Sequence, residues 1–267
     1  LQSHDVFFEP RWFRPGGFLP PLTVAGRRLG FLIGEDLWDE GHEVHPPAEL
    51  LEAGAEMLIC LAASPYRRRI MEERLAHARR PQCSLLVANP CGANDELIYD
   101  GRSFALDSKG DLIAQLAAFE NEVQVVDLEN SAPIPSKKED FEEELFQALA
   151  LGVRDFLGKN GIGHAFLGLS GGVDSALVAV IAAQALGPER VTAVAIPSRY
   201  SDPRSTTCAQ ELAAALGIGF KVVELEPLHR AAEAAMGDLL AEGTAAENVQ
   251  ARLRAIILMG FVNRHGG

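Results

Sequence analysis

Six consecutive residues, Ser170-Gly171-Gly172-Val173-Asp174-Ser175, put two hydroxyls, a carboxylate and a glycine pair into one short stretch. These types suit a phosphate. Hydroxyls and unhindered backbone N–H groups donate to phosphate oxygens, and glycine lets the main chain approach an anion with no Cβ in the way. Asp174 adds a carboxylate of the kind that holds a divalent cation beside phosphates. No lysine follows the glycines, so the string is not a Walker A loop. The competing reading is an ordinary strand-to-helix turn capped by serine and aspartate. A bare Gly-Gly pair would favour that reading; the full string favours a nucleotide site.

Such a loop works where a strand ends and a helix begins, because a helix N-terminus offers unpaired N–H groups and the positive end of its dipole. Ala165–Leu169 is a short apolar run that reads as a buried parallel strand, and from Asp174 onward apolar residues recur at helical spacing. Val191–Ile196 and Phe220–Leu225 read as further strands, with helices expected over about 203–216, 228–242 and 246–263. Strands alternating with helices predict a doubly wound parallel sheet with ligands at the carboxyl ends of its strands. The loop at 170–175 and the segment Pro197–Ser201 both fall at that edge.

The earlier part of the chain reads as a layered α/β sandwich whose end is antiparallel. A hairpin is expected over 22–33, turning at Gly26-Arg27, and its second strand runs into Gly34-Glu35-Asp36-Leu37-Trp38. A helix (about 46–53), a strand (Ala55–Ala62), an arginine-rich surface helix (67–80) and a buried strand (Ser84–Ala88) follow. Asn89–Gly101 reads as an irregular loop, and Ser103–Leu106, Leu112–Leu116 and Val123–Leu128 as strands. Residues 130–139 are polar, proline-bearing and aperiodic, as expected of a linker, and a helix with one apolar face runs from about Asp140 to Lys159. The division is therefore 1–129, a linker at 130–139, and 140–267.

Composition narrows the function classes. The 267 residues are 48% hydrophobic, enough for two ordinary cores. A net charge of −13 argues against nucleic acid as a partner, since phosphate backbones call for a basic surface. No run of about twenty apolar residues is present, so no membrane span is expected. Cys60, Cys83, Cys91 and Cys208 show no metal-binding spacing. Cys60 and Cys83 sit in apolar runs as reduced core residues, which points to the cytoplasm. Leu1–His4 is neither a signal peptide nor a helix start, and the helical pattern leads on past Gly266-Gly267; the chain is expected to be cut at both ends.

With both halves read, the chain resembles a glutamine-dependent NAD(+) synthetase, a nitrilase-like (CN hydrolase) glutaminase domain followed by an ATP pyrophosphatase-type synthetase domain. In the second half the likeness rests on Gly168–Ser175, Ile196–Ser201 and Glu247–Arg254. In the first half it rests on Phe7–Gly17, Glu35–Trp38, Ala63–Tyr66 and Asp95–Gly101. The implied fold is a partial nitrilase-like α-β-β-α sandwich followed by a partial doubly wound, Rossmann-like parallel-sheet domain of the adenine nucleotide alpha hydrolase type.

The resemblance implies a ligase that adenylates the nicotinate carboxylate of deamido-NAD with ATP and lets ammonia, drawn from glutamine in the family, displace AMP. Gly168, Leu169, Ser170, Gly171, Gly172, Val173, Asp174 and Ser175 would bind ATP, Asp174 would hold Mg2+, and Asn248 and Arg252 would face deamido-NAD. Taken alone, Asn248 and Arg252 also read as an N-cap and a solvated charge. The family further implies a homo-oligomer.

The first half departs from the pattern. Nitrilase-type glutaminases use a cysteine thiolate with a lysine and a glutamate, and Gly34 stands at the cysteine position. The lysine and glutamate would precede Leu1. His4 replaces a tyrosine and Ile70 a lysine, with Arg69 adjacent, whereas Glu35 and Ser64 of the glutamine pocket remain. An inactive glutaminase is expected. The family's threonine, glutamate, lysine and aspartate contacts beyond Gly266 are absent, so nucleotide binding is expected to survive and full turnover is not. Two alternatives stand beside this reading: a non-catalytic degenerate paralogue or fragment, and another adenylating ligase with the same loop.

Overall fold

The computed structural model describes residues 11–137, 140–240 and 244–267. His4 and the Phe7–Pro10 part of the first-half motif lie outside the described residues, as do the linker positions 138–139 and the end of the helix expected over 228–242. The chain divides into two compact units, Leu1–Ala148 and Leu149–Gly267.

The first unit is a six-stranded mixed sheet carrying helices. Strands β1 (Leu22–Val24) and β2 (Arg27–Ile33) form the expected hairpin, turning on Ala25 and Gly26, both at positive φ. Helix α1 (Pro46–Glu52) leads to β3 (Met57–Leu61), and helix α2 (Ile70–Arg79) to β4 (Ser84–Ala88). Strands β2, β3 and β4 are parallel neighbours. Strands β5 (Cys91–Asn94), β6 (Leu97–Asp100), β7 (Phe104–Leu106) and β8 (Leu112–Gln115) follow, and β7 and β8 close the sheet antiparallel. Period-two burial sorts the sheet's faces. Leu32, Leu58, Cys60, Leu85 and Val87 point into one core with Leu50 of α1 and Met71 and Leu75 of α2. On β2, the alternate residues Phe31 and Ile33 are exposed.

Three expectations for this unit change. Asn89–Gly101 is not an irregular loop: β5 and β6 pair in full register from Cys91–Asp100 to Asn94–Leu97, turning at Asp95 with φ +50°. Val123–Leu128 is not a strand. Val126 and Leu128 pack on Ala105 and Ile113, but Val123 and Val125 project into solvent, and no strand pairs with the segment among the described residues. The arginine-rich helix is not a surface helix throughout, since Ile70, Met71, Arg74, Leu75 and Ala78 are buried along one face of α2.

Helix α3 (Phe141–Lys159) contributes Ala150, Val153 and Leu157 to the core of the second unit. There β9 (Ala165–Gly168), α4 (Val173–Leu186), β10 (Val191–Ala195), α5 (Pro203–Leu216) and β11 (Gly219–Val222) build a parallel sheet in the order β11-β10-β9. Helices α6 (Glu226–Met236) and α7 (Thr244–His265) complete it. Side chains again alternate between the two faces along β10, which is buried nearly throughout. Val191 and Ala193 join the core formed with α4 and α5, whereas Val194 packs toward Leu253, Ile257 and Phe261 of α7. The sheet is thus covered on both faces, as a buried parallel sheet requires.

Candidate functional site

Strand β9 ends at Gly168, and the N–H of Leu169 still bonds the carbonyl of Val194 on β10 at 3.0 Å. Leu169 is buried and anchors the loop; Ser170 to Asp174 are exposed beyond it. Gly172 is the N-cap of α4, with its carbonyl accepting the first helical bond from Ala176 at 3.1 Å. The N–H groups of the opening turn therefore face outward with the positive end of a 14-residue helix. Asp174 and Ser175 sit in that turn.

The two serines knit the loop. Their hydroxyls lie 3.0 Å apart, the Ser175 hydroxyl donates to the Gly172 carbonyl at 3.0 Å, and the Ser170 N–H donates to Ser175 Oγ at 3.2 Å. The Gly172 N–H reaches Ser170 Oγ at 3.3 Å. Two of the loop's amides thus have weak hydroxyl partners from the loop itself, which hold its shape. Gly171 has φ +81°, and a Cβ built on it would stand 2.3 Å from the backbone oxygen of Ser205. Glycine is required there twice over, for its dihedral and for space. Ser205 belongs to the first turn of α5, so the same contact seats a second helix N-terminus against the loop.

The segment after β10 borders this edge. Ser198 and Ser201 close a turn on each other, with Ser198 N–H to Ser201 Oγ at 3.0 Å. Arg199 is held by Glu226 and Glu233 of α6, each at 2.9 Å. The bond from Arg199, with a second from Arg230, lowers the pKa of Glu226, and the bonds to Glu226 and Glu233 raise that of Arg199. Asp202 caps α5 through the N–H of Arg204, and its pKa is lowered by Arg204 in turn.

Asn248 and Arg252 lie one turn apart on α7, both exposed, and the Arg252 guanidinium donates back to the Asn248 carbonyl at 3.2 Å. Arg254 ties the helix to the sheet's carboxyl edge by donating to the Ile196 carbonyl at 3.2 Å. Its place in the Glu247–Arg254 stretch was the only sequence signal for that link.

In the first unit, Gly34 and Glu35 follow β2, Ser64 follows β3, and Asn89 follows β4, so parallel pairing brings all four positions to one sheet edge. Gly34 opens a 3-10 turn at φ +52°, and a Cβ there would meet nothing within 4 Å. Ser64 is fixed at every polar atom. Its N–H donates to Asn89 Oδ1 at 2.9 Å, its hydroxyl accepts from Arg74 Nε at 3.0 Å, and its carbonyl accepts from Arg74 at 2.7 Å. Arg74 in turn grips Asp100 with two bonds, 2.8 and 3.1 Å, both side chains being buried. Arg102 stands beside Asp100 and pairs with Glu144. Neither Arg74 nor Asn89 carries a local sequence signal for this role, since their partners lie 10 to 26 residues away. Ile70 is in the core, and Arg69 pairs with Glu72 on the surface.

Residues 145–267 match the family model described as NAD synthase. Over its whole length the chain is 40% identical to the glutamine-dependent NAD(+) synthetase of Rhodobacter capsulatus, covering 50% of that protein. It is 35% identical to the one of Synechocystis sp., covering 51% of it. Among solved structures it resembles the glutamine-dependent NAD+ synthetase of Acinetobacter baumannii in complex with adenosine diphosphate (TM-score 0.90, 29% identity), covering all of this chain and 52% of that one. The chain spans about half the length of the curated relatives it matches. No described helix is long and apolar enough to cross a membrane.

Proposed function

We propose, for a chain whose residues 145–267 match the NAD synthase family model, that the loop Ser170–Ser175 binds the phosphates of ATP during amidation of deamido-NAD. The observation that carries this reading is the exposed N-terminal turn of α4, opened by the glycine pair and held in shape by Ser170 and Ser175. A helix N-terminus behind a glycine-lined main chain forms an anion site.

In the proposed reaction an oxygen of the nicotinate carboxylate attacks the α-phosphorus of ATP. The bond from that phosphorus to the bridging oxygen breaks, and pyrophosphate leaves. Ammonia then adds to the acyl carbon, AMP departs with the carboxylate oxygen, and a proton is lost from nitrogen. Ser170, Ser175 and the outward N–H groups of the loop would take the charge that grows on the leaving pyrophosphate, which is where preorganised donors are worth most. Asn248 and Arg252 would orient deamido-NAD, holding the carboxylate in line.

Asp174 fits a magnesium ion. It is an exposed carboxylate in the first turn of α4, beside the hydroxyls of Ser170 and Ser175. Magnesium is commonly held by one or two carboxylates together with substrate phosphates. Among the described residues no cluster of three or more acidic, histidine or cysteine side chains offers a cage of its own. When bound, the ion supplies charge neutralisation at the phosphates.

The first unit we infer to be without glutaminase chemistry, since Gly34 provides no nucleophile. The domain limits that accompany this reading are a glutaminase-like part at 1–129, a linker at 130–139 and a synthetase part at 140–267. A cytoplasmic enzyme that works as a homo-oligomer, with no nucleic-acid partner, completes the proposal.

Calorimetric titration with MgATP, and separately with deamido-NAD, tests it. Binding of both, with ATP affinity lost in Asp174→Ala and Ser175→Ala, is the expected result. ATP binding alone would favour a different adenylating ligase, and binding of neither a non-catalytic chain.

A further inference from the structure

A cavity of about 320 Å³ opens in the first unit between the segment after β2, α1 and the end of α2, lined by groups that the proposed chemistry leaves unused. Its size is at the lower end of small-molecule sites, which run about 300–1,000 Å³. Leu37, Pro47 and Leu51 give it an apolar wall; Asp39, His45 and Arg80 give it a polar one.

Asp39 is only 8% exposed, and both its oxygens are spent. One accepts from His45 Nδ1 at 3.0 Å and the other is ion-paired with Arg80 at 3.1 Å. The cavity's own carboxylate is therefore neutralised before any ligand arrives. What remains on that wall is the donor capacity of Arg80, since a guanidinium carries five N–H groups, whereas a neutral imidazole that donates through Nδ1 has an acceptor at its other nitrogen. Arg80 is about half exposed, so its donors are within reach of a ligand. His77 lines the same cavity, stacked on Trp38 with ring centroids 4.2 Å apart, and its buried Nδ1 has no hydrogen-bond partner. A buried polar atom left unpaired costs about 1–3 kcal/mol.

We infer that this cavity binds a small organic carboxylate, its anionic end taken by Arg80 and its apolar body lying on Leu37, Pro47 and Leu51. The two walls select for both features at once. An inorganic anion would leave the apolar wall wet, and an uncharged apolar molecule would leave the donors without partners. A metal ion is disfavoured because the one buried carboxylate is already paired. Burial, and then the neighbouring Arg80, lower the His77 pKa, so this ring enters the site neutral at neutral pH.

The test uses the full chain with Trp12→Phe, leaving Trp38 as the sole indole reporter. Isovalerate and benzoate are titrated as probes, with inorganic phosphate and isoamyl alcohol as controls, following Trp38 fluorescence and the imidazole nitrogen shifts of His77. Saturable binding of both carboxylates is expected, with a Kd on the order of 1 mM for ligands of this size. Arg80→Gln, at a half-exposed position, should weaken it about tenfold, as expected for a lost charge-assisted bond. Absence of saturation, equal binding of phosphate or isoamyl alcohol, or unchanged affinity in that variant would overturn the assignment. MgATP binding lies in the other unit, and its presence or absence leaves this result unaffected.

Discussion

Gly171 and Ser205 are in contact through main chain alone: a Cβ on Gly171 would stand 2.3 Å from the Ser205 carbonyl oxygen. Its neighbour Gly172 has φ −87°, and the nearest atom to a Cβ there is Ser170 Oγ at 3.4 Å. Gly171→Ala must therefore push α5 away from the loop and hold alanine in the left-handed region, which alone costs about 1–2 kcal/mol. ATP affinity should fall at least about tenfold, the equivalent of about 1.4 kcal/mol. The melting temperature should fall by several degrees. Gly172→Ala should leave the melting temperature within about 2 °C of the parent. Calorimetry and thermal unfolding read the two effects. Equal loss of stability in both variants would contradict the contact.

Asp100 lies at the centre of a buried charge network, with Arg74 on two of its bonds and Arg102 at 3.7 Å. Asp100→Asn keeps the shape but leaves Arg74 buried without its counter-charge. Breaking a buried pair from one side typically costs about 3–5 kcal/mol. Urea unfolding followed at Trp38 should show a loss of that order. Replacing both partners, Arg74→Met with Asp100→Leu, should recover part of it, because two apolar side chains leave no charge stranded. A double variant no more stable than the single one would show that Arg74 acts mainly through its grip on Ser64.

The same network explains what the sequence did and did not disclose. Ala165–Ser175 was legible because its strand, loop and helix are contiguous and each signal is local. The hairpin at 22–33 was legible for the same reason. Arg74 was not: an arginine among arginines reads as solvated, and only Asp100, 26 residues away, makes burial tolerable. Asn89–Gly101 hid its hairpin because Gly92, Asn94 and Asp100 break the apolar alternation by which strands are recognised. Val123–Leu128 erred the other way. Its β-branched residues suit a strand, but a strand needs a neighbour, and none is present among the described residues.

His77 makes the first unit sensitive to pH. Burial and Arg80 hold its pKa below the ordinary 6.5. Below pH 6.5 the unfolded chain takes up this proton more readily than the folded one, so stability present above that value declines as pH falls. The decline ends once the pH has passed below the folded-state pKa. Unfolding free energies between pH 7.5 and about 5 should slope downward in the parent and less so in His77→Gln. Parallel slopes would assign the effect to the carboxylates, which begin to titrate near the lower end of that range.

Gly34 removes the nucleophile from the position proposed for a glutaminase thiol. A thioester needs a thiolate at the end of β2, and two other cysteines of the unit, Cys60 and Cys83, are unsuited. Burial pushes Cys60 up to about 12 and Cys83 up to about 11, so both stay protonated at neutral pH. A thiol held that far above neutrality is a poor nucleophile. Incubation with a glutamine-like electrophile should therefore leave the intact mass of Leu1–Ala148 unchanged, and glutamine should release no ammonia above the buffer rate. Gly34→Cys has room, since nothing lies within 4 Å of that Cβ. It should gain the adduct slowly, because a cysteine alone has no base to draw its proton. Adduct formation on the parent chain would place a reactive thiol elsewhere and defeat the argument from position 34.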